Sequence, residues 1–335
     1  MNLLITGGAG FIGSNLIRHI IDRPEVTQLI NLDTLTYAGN LGNLEGIHDQ
    51  HPKYAFEQVD LRNAPEVHRV VQMHGITHVI HLAAESHVDR SIANAGVFME
   101  TNVLGTLHLL DACRSQWGGD EQGEKHRFIQ VSTDEVYGSL GPDEAPFTED
   151  SPLLPNSPYA ASKAAADCLV RSYIKTHGFP AIITRCCNNY GPNQHEEKLI
   201  PTVLKCLRDR RPIPVYGDGQ QMREWIHVTD HAEALWQVLM NGEKGAIYNI
   251  GTGEERTNVE VIVQICTVYD AENSQPEQFS FKLMAHIGDR PGHDRRYAVD
   301  ASKFQNLSWK PSWPFEEGLR QILVDQLPSN PSGHG

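Results

Sequence analysis

Short apolar runs rich in strand-forming residues alternate with helical hydrophobic patterns along the first half of the chain. The runs predict parallel strands at residues 2–6, 28–32, 54–59, 77–82 and 127–132. After the first run, Leu16, Ile17, Ile20 and Ile21 recur at helical spacing. Strands that alternate with helices favour an α/β fold on a doubly wound parallel sheet, which binds ligands at the carboxyl ends of its strands.

The second half of the chain follows this alternation less strictly. After about residue 185, Pro201, Pro212 and Pro214 separate short segments, which indicates a smaller, mixed α/β substrate domain toward the C-terminus. A later strand at residues 246–250 is expected to return to the main sheet, and the polar residues 118–125 to form a surface excursion. We predict two domains and a disordered tail. The larger domain comprises residues 1–185 and about 225–255, and the smaller one comprises about 186–224 and 256–327. Residues 328–335 form the tail.

The first strand leads through a glycine-rich turn into a helix. Gly7 would permit the tight turn, Gly10 the approach of the backbone to a pyrophosphate, and Gly13 close packing of the helix. The second strand ends at Asp33, twenty residues after Gly13, where a carboxylate can hold the adenosine ribose and repel the extra phosphate of NADP. This spacing disfavours a plain cap at Asp33 and predicts bound NAD in a Rossmann-type domain.

Other strand ends carry residues suited to the same cofactor. Asp60 and Leu61 follow the third strand, where an acid can accept the adenine amino group, although a plain turn residue would look the same. Small residues after the fourth strand would let the backbone approach the cofactor. The further cofactor candidates at these ends are Thr34, Leu82, Ala83 and Ala84.

Candidate chemistry lies after the fifth strand and on the next helix. Tyr159 and Lys163 share one helix face, where an ammonium would lower the phenol pKa from about 10 and make Tyr159 a base. Thr133, Asp134 and Glu135 place a hydroxyl beside two carboxyls, which reach one substrate only if the chain leaves strand geometry by Asp134. Each motif alone is common by chance. With the glycine turn, they favour an enzyme that oxidises a sugar alcohol and eliminates across the neighbouring bond.

Composition and charge exclude several other classes. The 335 residues carry a formal net charge of −14, which argues against general nucleic-acid binding. The chain has no apolar run of about eighteen residues, and its first strand leaves no room for a signal peptide. The six cysteines and 17 histidines show no metal-ligand spacing, so we expect reduced thiols, no metal and a cytoplasmic protein.

One basic segment runs counter to the overall charge. Residues 288–296 contain Arg290, Arg295 and Arg296 beside glycine and proline. Guanidinium groups bind phosphate through paired hydrogen bonds, so this loop is a candidate clamp for an anionic ligand. A solvated surface loop is the equal alternative.

The chain resembles the extended short-chain dehydrogenase/reductase superfamily and, within it, the dTDP-glucose 4,6-dehydratases. The superfamily resemblance rests on the glycine turn, on Asp33, and on Tyr159 with Lys163. The dehydratase resemblance extends to about residue 300 and rests on the motifs at 132–138, 82–91, 188–192 and 289–293. Cys186 and Cys187 depart from the family, which more often has small residues or serine there.

The resemblance implies a set of contacts for cofactor and substrate. Implied NAD contacts are Phe11, Ile12, Asp33, Asp60, Leu61, Thr101, Lys163 and Asn189. Implied contacts to the sugar and its nearby phosphate are Ser86, Thr133 and Asn188. Implied contacts to the nucleotide diphosphate are Lys198, Leu199, Pro214, Tyr216, Arg223, Asn258, Arg290 and His293. Plainer roles exist for several of them, such as packing for Leu199 and Pro214.

The resemblance also implies an assembly. The family pairs its subunits through two long helices, here about 92–115 and 159–176, so a homodimer built on a four-helix bundle is expected. Leu104, Leu107 and Leu169 lie on the apolar faces of these helices, but any buried helix shows such a face.

The implied activity is the dehydration of dTDP-glucose to a 4-keto-6-deoxy sugar by transient oxidation at C4. Oxidation comes first because the C5 hydrogen becomes acidic only beside a ketone. Tyr159 would take the C4 hydroxyl proton, Thr133 would bind the C4 oxygen, Glu135 would take the C5 proton, and protonated Asp134 would assist loss of the C6 hydroxyl. Neighbouring acids can differ in protonation because a charge on one raises the pKa of the other.

Three alternatives stay open at this point. Another nucleotide hexose such as UDP-glucose is one, since thymine and uracil differ by one methyl, worth only about 1–3 kcal/mol. A nucleotide-sugar 4-epimerase would also use NAD, Tyr159 and Lys163, but it has no step for Glu135. A non-catalytic NAD-sensing protein would need none of the catalytic residues.

Overall fold

A seven-stranded parallel sheet forms the centre of the computed structural model, which describes residues 1–118, 125–276, 278–289 and 292–326. The strands are β1 (Asn2–Thr6), β2 (Gln28–Leu32), β3 (Tyr54–Glu57), β4 (His78–His81), β5 (Arg127–Thr133), β6 (Ala181–Cys186), β7 (Asn188–Tyr190), β8 (Ile213–Tyr216), β9 (Met222–His227), β10 (Ile247–Ile250), β11 (Glu255–Thr257) and β12 (Met284–Ile287). The sheet order is β10-β6-β5-β4-β1-β2-β3. The predicted doubly wound sheet is therefore confirmed, and so is the return of residues 247–250 to it.

Helices cover both faces of this sheet. The α-helices are α1 (Phe11–Ile20), α2 (Ala64–Met73), α3 (Val88–Ala93), α4 (Ala95–Phe98), α5 (Gly105–Trp117), α6 (Pro158–His177), α7 (Leu199–Arg208), α8 (Val228–Asn241), α9 (Asn258–Glu272), α10 (Ser302–Gln305) and α11 (Phe315–Gln326). Three 3-10 helices lie at Leu41–Leu44, Asp134–Tyr137 and Phe279–Leu283.

Two apolar clusters hold the layers together. On one face, α1 and α8 bury Ile17 and Leu235 against the sheet; on the other, α2, α5 and α6 bury Val70, Leu109 and Val170. The strands between them are buried on both faces, which explains why they read as continuous apolar runs rather than as alternating patterns.

The C-terminal part adds smaller mixed sheets. In the three-stranded sheet, β9 pairs in parallel with β7 and antiparallel with β11, while β8 and β12 form a parallel pair. A third apolar cluster, including Val203, Ile262 and Leu319, joins α7, α9 and α11 there. The mixed α/β character matches expectation, whereas the domain bounds stay a prediction. Most of the predicted surface excursion (residues 119–124) and the predicted tail lie outside the described residues.

The helix expected at about 92–115 is interrupted. It begins as α4 at Ala95, passes through a π-helical segment at Met99–Leu104 and continues as α5. Inside the π segment, Asn102 turns inward: its amide donates to the Glu85 carbonyl (3.0 Å) and the Ser162 hydroxyl (2.8 Å). The wider π-helical turn thus places the polar side chain of Asn102 where a regular α-helix would continue its apolar face. None of the helices in the described ranges is long and apolar enough to span a membrane.

Gly13 provides a test of the close packing in the glycine turn. A Cβ at Gly13 would lie 2.2 Å from the Gly7 carbonyl oxygen, whereas one at Gly96 would lie 3.5 Å from its nearest neighbour. Gly13→Ala should lower the free energy of unfolding by about 1–3 kcal/mol, despite the higher helix propensity of alanine. Gly96→Ala, the matched control, should not. Equal denaturation midpoints for the two variants would contradict this packing.

Candidate active site

One cavity of about 890 Å³ opens at the carboxyl ends of the parallel strands. Among the described residues, every predicted site residue lines it. The cofactor candidates are Gly7, Gly10, Phe11, Ile12, Gly13, Asp33, Thr34, Asp60, Leu61, Leu82, Ala83, Ala84, Thr101, Tyr159, Lys163 and Asn189. The other candidates are Ser86, Thr133, Asp134, Glu135, Asn188, Lys198, Leu199, Pro214, Tyr216, Arg223, Asn258 and His293. Arg290 lies outside the described residues.

The glycine turn forms one end of this cavity. Gly7 has a φ of 72°, and a Cβ there would lie 2.8 Å from the Ala83 backbone at the end of β4. Helix α1 begins after Gly10, with no side chain capping its first turn. Because the first N–H groups of a helix lack intrahelical partners, this end of the cavity is suited to a phosphate group.

Asp33 is fixed beside the turn. One carboxylate oxygen accepts the backbone N–H of Ala9 (3.0 Å), and the other accepts that of Leu35 (2.8 Å). Burial raises the pKa of this carboxyl, and the backbone donors partly oppose the rise. The carboxylate is thus held at the end of β2, where the spacing argument places the adenosine ribose. Farther along, Arg62 binds the Asp60 carboxylate (2.6 Å) and lowers its pKa.

The end of β5 carries the acidic pair. The strand stops at Thr133 and the chain enters a 3-10 helix at Asp134, so the required departure from strand geometry is present. The Thr133 hydroxyl donates to Asp134 (3.1 Å) and accepts the Glu135 N–H (3.3 Å). Gly138 ends the turn with a φ of 91°, close to the Leu154 carbonyl, where a Cβ would clash.

Asp134 is the buried member of that pair. It is 2% exposed, and its second carboxyl oxygen accepts no hydrogen bond from the described residues. Burial, followed by the charge of Glu135, raises its pKa well above the ordinary range. Asp134 is therefore suited to hold a proton at neutral pH, as the proposed division between acid and base requires.

Helix α6 brings Tyr159 and Lys163 to the opposite wall. Ser157 caps its first turn by accepting the Ala160 N–H (3.1 Å), and the Tyr159 N–H donates to the Ser91 hydroxyl (3.1 Å). The Lys163 ammonium donates to the Val131 carbonyl (2.7 Å) on β5. Burial lowers the pKa of Lys163 to about 8.

The predicted fall in the pKa of Tyr159 is wrong for this structure. Burial raises its pKa, and the carboxyls of Glu135 and Asp134 raise it further; a hydrogen bond from Thr133 opposes them. The sequence shows the cation four residues away, but neither the burial of the phenol nor the two acids close to it. Any base role of Tyr159 therefore needs positive charge beyond Lys163, or neutral acids around it.

The far end of the cavity is built from the smaller part of the chain. Arg223 is 7% exposed, donates to the Asp294 carbonyl (2.9 Å) and lies over the Tyr297 ring (4.2 Å). Lys198 donates to the Ser86 carbonyl (3.2 Å), and His293 is bonded to Asp289 (2.6 Å). These contacts hold basic side chains in place around the cavity.

Sequence reasoning missed several residues of the wall. Those beside a predicted position are His87, Glu197 and Trp225, and those without a nearby motif are Tyr37, His231 and Tyr297. Arg90, in α3, lies over the Tyr37 ring (3.7 Å) and donates to Glu197 (3.2 Å), which links three distant segments of the chain at the cavity wall. No local sequence pattern predicts this contact, because the three residues lie far apart along the chain.

The fold and site together define an enzyme class. A doubly wound sheet with a glycine turn, an acid after β2 and a Tyr-x-x-x-Lys helix beside one cavity is the arrangement of the extended short-chain dehydrogenases/reductases. A family profile described as GDP-mannose 4,6 dehydratase matches residues 4–322. The chain belongs to this family, which includes the dTDP-glucose 4,6-dehydratases to which it is similar at about half of its positions.

The chain is similar to two dTDP-glucose 4,6-dehydratases and, less closely, to a 4-epimerase. The dTDP-glucose 4,6-dehydratase of Neisseria meningitidis serogroup B is 50% identical over 329 residues, covering 96% of this chain and 92% of the relative. The crystal structure of DesIV, a dTDP-glucose 4,6-dehydratase from Streptomyces venezuelae with NAD bound, has a TM-score of 0.86 at 44% identity, covering 97% and 96% of the two chains. The Thermus thermophilus UDP-glucose 4-epimerase, in complex with NAD, reaches 0.83 at 30% identity, with 97% and 98% covered.

The buried Asp134 predicts a pH-dependent stability. Its folded-state pKa is raised above the unfolded value of about 3.9, so the stabilising contribution is complete below about pH 4 and is lost as pH rises. Asp134→Asn should therefore gain stability relative to the wild type between pH 5 and pH 8, by up to about 1.4 kcal/mol per pH unit. Denaturant titrations at both pH values measure this difference.

The control for that prediction is Asp143→Asn, which removes an exposed carboxyl. Its stability relative to the wild type should change little between the two pH values. A difference between Asp134→Asn and the wild type that does not depend on pH would show that Asp134 is ionised in the folded protein.

Proposed function

We propose that this protein is an NAD-dependent hydro-lyase that converts dTDP-glucose to dTDP-4-keto-6-deoxyglucose. The observation that carries the proposal is the meeting of two acids, Asp134 and Glu135, with Tyr159 and Lys163 in one cavity that also contains the dinucleotide turn. Relatives about half identical in sequence, and the DesIV structure, are dTDP-glucose 4,6-dehydratases. A 4-epimerase has no step that needs Glu135, and a non-catalytic NAD-binding protein needs none of these four residues.

The residues at one end of the cavity fit NAD. The uncapped start of α1, the glycine at position 7 and the fixed carboxylate of Asp33 match a pyrophosphate and a ribose without a 2′-phosphate. Phe11, Ile12 and the backbone after β4 would hold the rest. When bound, NAD supplies a hydride acceptor that later donates the same hydride back to the sugar.

Tyr159 and Thr133 would act on the C4 hydroxyl. Tyr159 takes the C4 proton, and the Thr133 hydroxyl, which also contacts the phenol, stabilises the changing charge on the C4 oxygen. Since the charge of Glu135 opposes the phenolate, the positive charges of Lys163 and of an oxidised nicotinamide would be needed to offset it. Tyr159 would therefore remove the C4 hydroxyl proton only when NAD is bound.

Asp134 and Glu135 would act on C5 and C6. Once C4 is a ketone, Glu135 removes the C5 proton, and Asp134 donates a proton to the departing C6 hydroxyl. Burial favours the protonated form of Asp134, and both side chains line the same cavity at the end of β5. The assignment of the acid therefore follows from the environment of Asp134 as well as from the resemblance.

The smaller part of the chain, about residues 186–224 and 256–327, would hold the nucleotide diphosphate. We assign this contact to Arg223 and Arg290 with Lys198 and His293, because a protein with a net charge of −14 needs a local cluster of cations to bind an anion. Leu199, Pro214, Tyr216 and Asn258 would enclose the base and its sugar.

We also propose a homodimer and a cytoplasmic location. Met99 and Leu104 are 38% and 47% exposed on the helical segment that the family uses for pairing, which favours a covered surface. All six cysteines are free thiols, as expected in a reducing compartment. Light scattering of the purified protein would test the dimer directly.

The deciding experiment compares nucleotide sugars. The protein should convert dTDP-glucose to a product that has lost one water and carries a C4 ketone, identified by mass and NMR, and it should convert UDP-glucose much more slowly. Formation of dTDP-galactose instead would favour the epimerase. Equal rates on the two sugars would leave the reaction class intact and overturn the nucleotide preference.

The acid and base roles predict two distinct defects. Glu135→Gln should block exchange of the C5 hydrogen with solvent deuterium and leave C4 oxidation partly intact. Asp134→Asn should slow water loss more than oxidation. Single-turnover absorbance and deuterium incorporation measure the two steps separately. If both variants dehydrate at the native rate, the assignment of Thr133, Asp134 and Glu135 is incorrect.

The cofactor assignment predicts what the purified protein contains. The borrowed hydride must return within one turnover, so the protein should copurify with NAD, released on denaturation and identified by enzymatic assay. Asp33→Ser should reduce the bound NAD and relax the exclusion of NADP, because the repelling carboxylate is gone. NADP as the main species in the wild type would contradict the role of Asp33.

A further inference from the structure

Helix α6 carries a third buried ionisable residue in line with the catalytic pair. Asp167 follows Lys163 by four positions, as Lys163 follows Tyr159, so the three side chains lie along one helix face. Asp167 is 1% exposed, and the Arg185 guanidinium on β6 donates to one of its carboxylate oxygens (3.0 Å). Within the described residues, the other oxygen accepts no hydrogen bond.

We propose that Asp167 is a positioning residue of the reaction: its buried carboxylate keeps Lys163 in the ammonium form on which Tyr159 depends. The inference rests on the proposed function for its catalytic consequence. The placement of Asp167 one helical turn after Lys163, with both residues buried, does not depend on that function.

The need for such a partner follows from the surroundings of Lys163. The ammonium is 5% exposed and has the Val131 carbonyl as a hydrogen-bond acceptor, which is neutral. Burial lowers the pKa of Lys163 to about 8, and the charge of Asp167 opposes this fall. Without an anion nearby, a buried ammonium loses its proton near neutral pH.

The other ionisable groups around Lys163 cannot take over this role. His81 on β4 is fully buried between Thr6 and Thr106, and its pKa is lowered to about 3, so it stays neutral. Burial raises the pKa of Asp134 and of Tyr159, so both favour their neutral forms. Glu135 lies in the turn after β5, where its charge acts on Tyr159 and Asp134.

Arg185 favours the ionised form of Asp167. Burial raises the pKa of Asp167 above its ordinary value, and the charges of Arg185 and Lys163 and a hydrogen bond from Arg185 oppose this rise. Arg185 also donates to the Tyr137 hydroxyl (2.9 Å), which donates to Asn249 (2.8 Å). Arg185 is thus anchored from β6 to the turn after β5. Arg185 thus supports the ionised form of Asp167, and the charge of Asp167 in turn acts on Lys163.

The direct test is a titration of the Lys163 side chain. In protein labelled with 15N-lysine, the Nζ signal of Lys163, identified by its loss in Lys163→Met, reports the pKa without any turnover. In Asp167→Asn this pKa should fall by roughly one pH unit, because an opposite charge one helical turn away is removed. In Asp167→Glu, which restores the charge, most of the shift should be reversed.

The pH profile of the reaction supplies the second readout. Activity that needs charged Lys163 should be lost on the alkaline side, and Asp167→Asn should move that limb to lower pH by the same amount as the NMR titration. The control is Asp270→Asn, which removes a buried carboxylate from α9 that binds Ser280. It should lower stability without moving the limb.

One further variant controls for a loss of stability in Asp167→Asn. Asp167→Asn leaves Arg185 buried without its partner, which can destabilise the protein strongly. Asp167→Asn combined with Arg185→Gln removes the pair together, and Lys163 should still titrate below its wild-type pKa. An unchanged Lys163 titration in a folded Asp167 variant would overturn the inference. A shifted titration in a protein that does not dehydrate dTDP-glucose would support it and refute only the proposed reaction.

Discussion

The place where the chain leaves β5 is the constraint on which the site depends. In a regular strand, Asp134 and Glu135 would point to opposite faces of the sheet, and no substrate could touch both. The 3-10 turn that starts at Asp134, closed by Gly138 in a left-handed conformation, brings them to one cavity. That turn is possible because β5 lies between β4 and β6, which fix its end at the edge where the cofactor turn also lies.

Burial then sets the charge of each group in the site. Asp134, Tyr159 and Lys163 all lose solvent, and each is pushed toward its neutral form. A neutral Asp134 can donate a proton as an acid, whereas a neutral Tyr159 cannot accept one as a base. The site therefore needs positive charge close to the phenol, and Lys163 can provide it only while it is itself protonated.

The sequence predicted the sheet and the cavity well, because those signals are local. Short apolar runs mark strands buried on both faces, and Gly7, Gly13 and Asp33 lie at fixed distances along one βαβ unit. Contacts between distant segments had no such signal. In the π-helical turn, the Asn102 amide donates to Glu85 and Ser162, which lie far away along the chain. The pKa of Tyr159 is raised by burial and further by acids that precede it by more than twenty residues.

A dehydratase and an epimerase can share this architecture. The epimerase from Thermus thermophilus shares the fold over nearly the whole chain. An epimerase needs only the C4 oxidation that Tyr159 and Lys163 support. Adding two acids at the end of β5 provides elimination, but it also raises the pKa of the phenol that must act first. The proposed role of Asp167 fits this arrangement. Its carboxylate lies behind Lys163 rather than beside Tyr159, so it would keep the ammonium charged without adding a negative charge next to the phenol.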